Sequence, residues 1–309
     1  MSRRRKVELP ADLSRVPGPV GPDTLQELYD QNRAPVSAVP TMLPTWNTLC
    51  RDEGGGVGLA HGWHVVVAGK TGSGKSLFAL NMAVEAMKRG NKVAYLSLEM
   101  SKRQLLTRAL AIVSQIPVSR LEPGTGYDEE SFGEATEIWG ERLEDRMHVS
   151  DLPLQTLEDV EIAIVKANEL LDVRYFITDY MQLAWTSKAE TLNAQITEVS
   201  HMVRGLAQEL NVVSVGLSQF NRATSSAEQR PDVTGLMGGS SLENDADQVV
   251  LLDHVSYRKM SDQMAAQEIL LAKNRHGSSG RLAVQWDYLT LRVLETRVGP
   301  EDVDARLPL

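Results

Sequence analysis

The sequence of 309 residues has little of several features that would point to other classes of protein. Its single cysteine, Cys50, cannot form an internal disulfide or a zinc site built from several cysteines, which fits a reducing compartment. No segment has the length and apolarity of a transmembrane helix. A secretory signal is not indicated either, because the basic residues Arg3 to Lys6 precede polar, proline-rich sequence and not an apolar segment. We therefore expect a cytoplasmic protein with no membrane partner.

Positive charge is also scarce, since 41 acidic and 32 basic side chains give a net charge of -9. This balance argues against a surface coated with basic residues that bind nucleic acid. A ring or groove can nevertheless concentrate a few lysines and arginines on one face. The basic cluster Arg3 to Lys6 is then either a solvated tail or a small phosphate-binding arm.

What the sequence does contain is a glycine-rich loop between a predicted strand and a predicted helix. The apolar run 64–68 predicts a buried strand, and apolar spacing predicts a helix over 76–89. In a phosphate-binding loop of this pattern, glycines let backbone N–H groups reach the phosphates, while a lysine and a hydroxyl serve the phosphates and Mg²⁺. The predicted cofactors are ATP and Mg²⁺, bound by Gly69, Lys70, Thr71, Gly72, Ser73, Gly74, Lys75, Ser76 and Leu77.

Strand and helix patterns alternate after Thr41, which predicts an α/β fold. The predicted sheet is mainly parallel, with helices on both faces and antiparallel strands at one edge. Predicted strands cover 64–68, 92–97, 146–149, 174–178, 212–217, 247–252, 267–272 and 281–286. Predicted helices lie near 76–89, 101–115, 129–142, 156–171 and 192–210.

The predicted domains are an extension over 1–40, the α/β domain over 41–295 and a tail over 296–309. The extension includes an amphipathic helix at about 23–32, which prolines separate from the α/β domain. Its apolar side packs either on its own domain or on a neighbouring subunit.

Two acids lie at the ends of predicted strands. Asp179 ends an apolar strand, so its carboxylate is expected at the ligand-binding edge of the sheet, where it would hold Mg²⁺ with Ser76. Tyr180 occupies the next position, where many phosphate-loop enzymes have their water-activating acid. Glu99 would flank the γ-phosphate if its strand neighbours the loop strand. Alternatively, Glu99 is a first-turn acid of the next helix.

Five blocks of sequence resemble the motor domain of DnaB-type replicative DNA helicases in order and approximate spacing. These five blocks are residues 97–101, 177–183, 217–222, 243–247 and 273–277. The resemblance as a whole covers about residues 41–290. It implies a RecA-like ATPase core that assembles into a homohexameric ring around single-stranded DNA. A primase and a loader are further partners that the resemblance suggests, and a phage-encoded member would act in the host cytoplasm.

The resemblance also implies roles for individual residues. Glu99 matches the general base, Asp179 the Mg²⁺ ligand and Gln219 the phosphate sensor. Lys273 and Arg275 match a pair that reaches the nucleotide site of the neighbouring subunit, where the arginine stabilises charge on the transferred phosphoryl group. Two residues apart on a predicted strand, they would project to the same face. A solvated basic hairpin is the alternative interpretation.

The sequence departs from the family in its expected DNA contacts. Where the family has Arg-Glu-Ser-Gly, this chain has Met237, Gly238, Gly239 and Ser240, which keep backbone N–H groups but lack the arginine. Arg222 and Arg230 are expected to compensate on the same long loop, and Trp185 and Lys188 lie on a second candidate loop.

Only about 40 residues precede the predicted motor, whereas full replicative members have a helical N-terminal domain. The chain therefore resembles compact phage- or plasmid-encoded forms. We expect an ATP-hydrolysing helicase that moves along single-stranded DNA and separates duplexes during replication. The alternatives are an ATP-controlled DNA-binding or assembly module and a recombinase-like filament.

Overall fold

The computed structural model describes residues 38–50, 57–97, 99–150, 156–179, 191–220, 230–237 and 239–296. The strands in these ranges are β1 (Ala38–Val39), β2 (Leu59–Ala60), β3 (His64–Gly69), β4 (Val93–Ser97), β5 (Met147–Ser150), β6 (Tyr175–Asp179), β7 (Val213–Gln219), β8 (Gln248–Leu252), β9 (Arg258–Lys259), β10 (Met264–Asn274), β11 (Gly280–Asp287) and β12 (Arg292–Glu295). The helices are α1 (Pro44–Leu49), α2 (Lys75–Lys88), α3 (Lys102–Ser114), α4 (Val118–Leu121), α5 (Glu129–Leu143), α6 (Leu157–Leu171), α7 (Leu192–Glu209) and α8 (Gly239–Asp245).

The main sheet has the strand order β12-β11-β10-β8-β3-β7-β6-β4-β5, with β9 paired to β10. Six strands at one end of this order, namely β8, β3, β7, β6, β4 and β5, are parallel to one another. The strands β10, β11 and β12 are antiparallel to their neighbours. Every residue of the central strand β3 is buried, as expected for a strand covered on both faces. The predicted fold class is confirmed, because the parallel sheet ends in antiparallel strands from the C-terminal part of the chain.

Two apolar clusters cover the faces of the sheet. Residues of α2 and α3 pack on one face with one side of the strands, and residues of α6, α7 and α8 pack on the other. Val39 lies before the predicted motor boundary at 41, yet it is buried in the first cluster and pairs with Leu59. No helix in the described ranges is both long and apolar enough to span a membrane.

The sequence patterns missed the short elements. Helix α1 has only six residues, with Pro44 in its first turn, and it is held by buried Trp46, whose indole N–H donates to Gln248 on β8 at 3.0 Å. Strand β12 and the short helices α4 and α8 were also not predicted. Elements this short contain too few residues to show a period, so their packing decides their conformation. The predicted helix at 23–32 lies outside the described residues.

Candidate nucleotide site at the carboxyl edge of the sheet

Three of the predicted catalytic residues, Lys75, Glu99 and Gln219, lie near the carboxyl ends of the parallel strands. Gln219 ends β7 and is the register partner of Gly69, the last residue of β3. Asp179 ends β6 and pairs with Ser97, the last residue of β4. Parallel strands bring such residues to one edge, which is where open α/β sheets bind their ligands.

The loop after β3 has a backbone that requires glycine. Gly72 and Gly74 have φ angles of 76° and 89°, in the left-handed region that disfavours other residues. A Cβ on Gly74 would also lie 2.9 Å from the ring of Trp286, which packs beneath the loop. Gly74 is the N-cap of α2, so the loop ends where the first N–H groups of that helix are available to a phosphate.

Lys75 lies in the first turn of α2 and bends back over the loop. Its Nζ donates to the carbonyl oxygens of Gly69 at 3.0 Å and Lys70 at 2.8 Å. Burial lowers the pKa of Lys75 to about 8, and the negative charges of Asp179 and Glu99 offset part of this fall. A phosphate group would supply the negative charge that favours the ammonium form.

The Asp179 carboxylate is almost fully buried and only half satisfied. Its Oδ2 accepts a hydrogen bond from the Tyr95 phenol at 2.7 Å, whereas its Oδ1 has no hydrogen-bond partner among the described residues. Burial raises the pKa of Asp179, and the Tyr95 and Ser76 hydroxyl groups pull it back down. A carboxylate oxygen and a nearby hydroxyl are hard ligands that fit Mg²⁺, which completes its shell with water and phosphate oxygens.

Glu99 is exposed in the turn that follows β4. The Ser97 hydroxyl braces this turn, because Ser97 Oγ accepts the Met100 N–H at 3.1 Å and donates to the Met100 carbonyl at 2.6 Å. Glu99 was expected to flank the γ-phosphate if its strand, β4, were adjacent to the loop strand, β3. This condition is not met, because β7 and β6 lie between β3 and β4. Glu99 is nevertheless close enough for its negative charge to raise the pKa of both Lys75 and Asp179. It therefore belongs to the same site, on the far side of β6 from the phosphate loop.

Gln219 connects this site to the segment expected to contact DNA. Its carbonyl oxygen accepts the Met237 N–H at 3.0 Å, and Phe220 pairs with Leu236. The long loop expected to hold Arg222, Arg230 and the whole 237–240 segment ends earlier than predicted, because α8 already begins at Gly239. Buried Leu242 and Ala246 pack this short stretch on the sheet, and that tertiary contact explains the helix. Four of the predicted DNA-contacting residues lie outside the described ranges, namely Trp185, Lys188, Arg222 and Gly238.

Arg230 is engaged with acids of its own domain. Its guanidinium lies 3.2 Å from Glu268 and 3.7 Å from Asp253. A DNA contact by Arg230 stays a prediction, and it would compete with these two carboxylates.

A basic pair at the opposite edge

Lys273 and Arg275 lie at the other edge of the sheet, where the parallel strands begin. Strand β10 runs antiparallel to β8, so its end at Asn274 pairs with Gln248, the first residue of β8. The Arg275 N–H donates to the Asp247 carbonyl, next to His64 at the start of β3. The five-residue separation of His64 from Gly69 corresponds to roughly 17 Å along the strand.

Both side chains reach the same short helix. Lys273 Nζ donates to the carbonyl of Glu243 and the Arg275 guanidinium to that of Asn244, both near the end of α8. Arg275 itself lies beyond the end of β10, and a register shift occurs between Leu271 and Lys273, so strand alternation does not explain their shared direction. The carbonyls that end α8 attract both cations.

Asp247 organises this edge, although the sequence patterns assigned it no role. Its carboxylate accepts the His64 N–H at 2.9 Å and lies 3.8 Å from Arg275, 4.0 Å from Arg204 and 3.7 Å from His276. Burial and the repulsion of Arg275 lower the pKa of Lys273. A motif contains Asp247, but only the fold shows what it contacts.

The phosphate loop ahead of a helix, the acid that ends β6, the acid in the turn after β4 and the strand order together define a RecA-like ATPase fold. A family model described as the DnaB-like helicase C terminal domain matches residues 55–293, and the chain belongs to this family. The "Replicative DNA helicase DnaB" of Geobacillus stearothermophilus is 31% identical over 240 residues, which are 75% of this chain and 53% of that protein.

Two solved structures have the same fold. The "ATPase Domain of G40P" has a TM-score of 0.73 at 22% identity and covers 89% of this chain and 98% of its own. A DnaB-like replicative helicase, described with its interactions with primase, has a TM-score of 0.71 at 22% identity and covers 90% of this chain and 67% of its own. The chain spans about half the length of the curated relatives it matches.

Proposed function

We propose that this protein is the motor of an ATP-dependent DNA helicase. Six copies form a ring that moves along single-stranded DNA and unwinds duplex DNA during replication in the cytoplasm. ATP and Mg²⁺ bind at the subunit interfaces. A primase is the proposed further partner, because a related structure is described with one, and a loader is a second.

One observation carries the proposal. The phosphate loop and the basic pair lie at opposite edges of the same sheet, so Lys273 and Arg275 are too far from their own nucleotide site to serve it. A role of this pair in phosphoryl transfer would therefore concern a nucleotide held by another copy, and their hydrogen bonds to α8 would hold them in place for it. A head-to-tail contact that repeats this arrangement closes into a ring when the rotations between successive copies add up to a full turn.

The residues at the carboxyl edge have complementary roles in phosphoryl transfer. Lys75 binds the β and γ phosphates, and Ser76 and Asp179 hold Mg²⁺, which neutralises charge on the phosphate oxygens when it is bound. Glu99 accepts a proton from the attacking water. Gln219 detects the γ-phosphate and transmits its loss through the hydrogen bond to Met237.

DNA contact is proposed for the two segments that leave this edge. Backbone N–H groups of Gly238, Gly239 and Ser240 would bind a phosphate beside Met237, whose own N–H donates to Gln219, and Arg222 would replace the missing arginine. Trp185 would stack on a base, and Lys188 would bind the backbone. Arg230 is the weakest of these candidates because its charge is already paired.

A groove on the motor is the proposed docking site for the predicted helix at 23–32 of a neighbouring copy. The groove has a volume of about 1300 Å³ between α3 and α5, and its lining includes Leu106, Leu110, Phe132 and Trp139 beside Lys102 and Arg103. The predicted helix at 23–32 has a matching character, with apolar Leu25, Leu28 and Tyr29 and acidic Asp23, Glu27 and Asp30. Apolar contact and opposite charge both support this docking.

Mixing two inactive variants tests whether the site is shared. Glu99→Gln removes the base of a subunit's own site, and Arg275→Ala removes the residue given to its neighbour. In rings assembled from equal amounts of both, about a quarter of the interfaces combine an intact Glu99 with an intact Arg275. ATPase activity should therefore return on mixing. No recovery, in rings shown to contain both variants, would contradict a shared site.

A second function is favoured by the missing arginine in the 237–240 segment. An ATP-controlled assembly module would hydrolyse ATP on DNA without releasing a strand from a forked duplex. A strand-displacement assay therefore separates it from a helicase. Electron micrographs with ATP and DNA separate closed rings from the open polymers of a recombinase-like filament.

A further inference from the structure

Asp179 Oδ1 has no hydrogen-bond partner among the described residues, whereas Oδ2 is held by the side chain of Tyr95. Tyr95 is fully buried in β4, and its phenol donates to Asp179 Oδ2 at 2.7 Å. The same phenol oxygen lies 3.5 Å from the carbonyl of Ser76, in the first turn of α2. Tyr95 therefore lies between the two residues proposed to bind Mg²⁺.

Strand register explains why the phenol reaches this position. Tyr95 is the direct partner of Ile177, two residues before Asp179, and residues two apart on a strand share a face. The tyrosine side chain extends along that face to the end of β6. Because Tyr95 is buried, bulk water does not compete for the hydrogen bond.

A hydrogen bond to one carboxylate oxygen fixes the rotation of the whole group. With Oδ2 held by Tyr95, Oδ1 keeps its lone pairs for a cation. We propose that Tyr95 is a positioning residue that orients Asp179 for Mg²⁺ and thereby sets the Mg²⁺ requirement of nucleotide binding. This inference rests on the proposed nucleotide site. Partners of this kind typically change metal affinity by about 10- to 100-fold.

Tyr95→Phe removes only the phenol oxygen and keeps the apolar ring in the core. Binding of a fluorescent ATP analogue to the full chain would be titrated with Mg²⁺ and repeated in EDTA. We expect the Mg²⁺ concentration at half-saturation to rise about 10-fold, with binding in EDTA unchanged. Tyr175→Phe is the matched control, because Tyr175 is equally buried but begins β6, at the end away from Asp179.

A second variant separates positioning from general stability. In an Asp179→Asn background, Tyr95→Phe should add no further change in the Mg²⁺ midpoint, because the carboxylate it orients is gone. An unchanged midpoint in Tyr95→Phe alone would overturn the inference. An equal loss of binding in EDTA and in Mg²⁺ would also overturn it and show a structural role. If the unaltered chain bound no nucleotide, the proposed function itself would fail.

Discussion

The two edges of the main sheet differ in what their charged groups contact. At the carboxyl edge, Asp179 Oδ1 has no hydrogen-bond partner among the described residues and Glu99 is exposed, so these acids can accept a cation or a proton. At the amino edge, Lys273 and Arg275 donate to carbonyls of α8, and Asp247 lies beside Arg275 and Arg204. The carboxyl edge therefore holds the acids of the proposed nucleotide site. The amino edge presents two cations that hydrogen bonds to α8 hold in place. This division is what an active centre shared between subunits requires.

The largest expected effect comes from removing the cation of the amino edge. Arg275→Ala should lower DNA-stimulated ATPase activity by about 10³-fold or more, because an arginine given in trans stabilises the transition state. Nucleotide binding should remain, since Arg275 is remote from its own phosphate loop. Steady-state ATPase and equilibrium binding measure the two effects. Arg174→Ala, which changes an exposed arginine just before β6, serves as the control. Equal turnover in Arg275→Ala and the unaltered protein would refute the role in trans.

A smaller effect concerns the stability of the amino edge. Complete burial lowers the pKa of His64 to about 4 from an ordinary value near 6.5. The unfolded chain therefore binds more protons between these values, and folding stability should fall by about 2 kcal/mol from pH 7 to pH 5 on this account. Denaturant unfolding at the two pH values would measure this loss. The measured loss should shrink by about this amount in His64→Gln, because burial also lowers the pKa of His61 and His148, and it should stay unchanged in His201→Gln, which changes an exposed histidine. Equal pH dependence in all three proteins would contradict the prediction.

The smallest effect concerns the carboxyl edge and should appear in ligand binding. Because the pKa of Lys75 is about 8, bound phosphates should draw a proton onto this lysine. Nucleotide affinity should then weaken by about tenfold between pH 7 and pH 9. Calorimetry in buffers of different ionisation enthalpy would detect the proton uptake. Lys75→Met should remove the uptake, and its persistence in that variant would assign it to another group.

Much of the carboxyl edge could be predicted because its residues end apolar strands. The run ending at Gly69 and the run ending at Asp179 reveal both the buried strand and the residue at its carboxyl end. In contrast, the distance of Glu99 from the phosphate loop depends on strand order. Its strand, β4, is not adjacent to β3, so the condition for its predicted position is not met. Local sequence contains no information on which parallel strands are adjacent, since connections of similar length permit several orders.

The sequence by itself determined the phosphate loop, the long helices and the parallel strands, because glycine geometry and apolar periodicity act over a few neighbouring residues. Only the tertiary structure decided that Tyr95 bonds to Asp179 and that Asp247 supports Arg275. These contacts join residues 84 and 28 positions apart, and they depend on register and burial rather than on local preference. The separation of the two edges follows from the antiparallel direction of β10, which the strand pattern predicted, and from the pairing of Asn274 with Gln248, which only the tertiary structure decided.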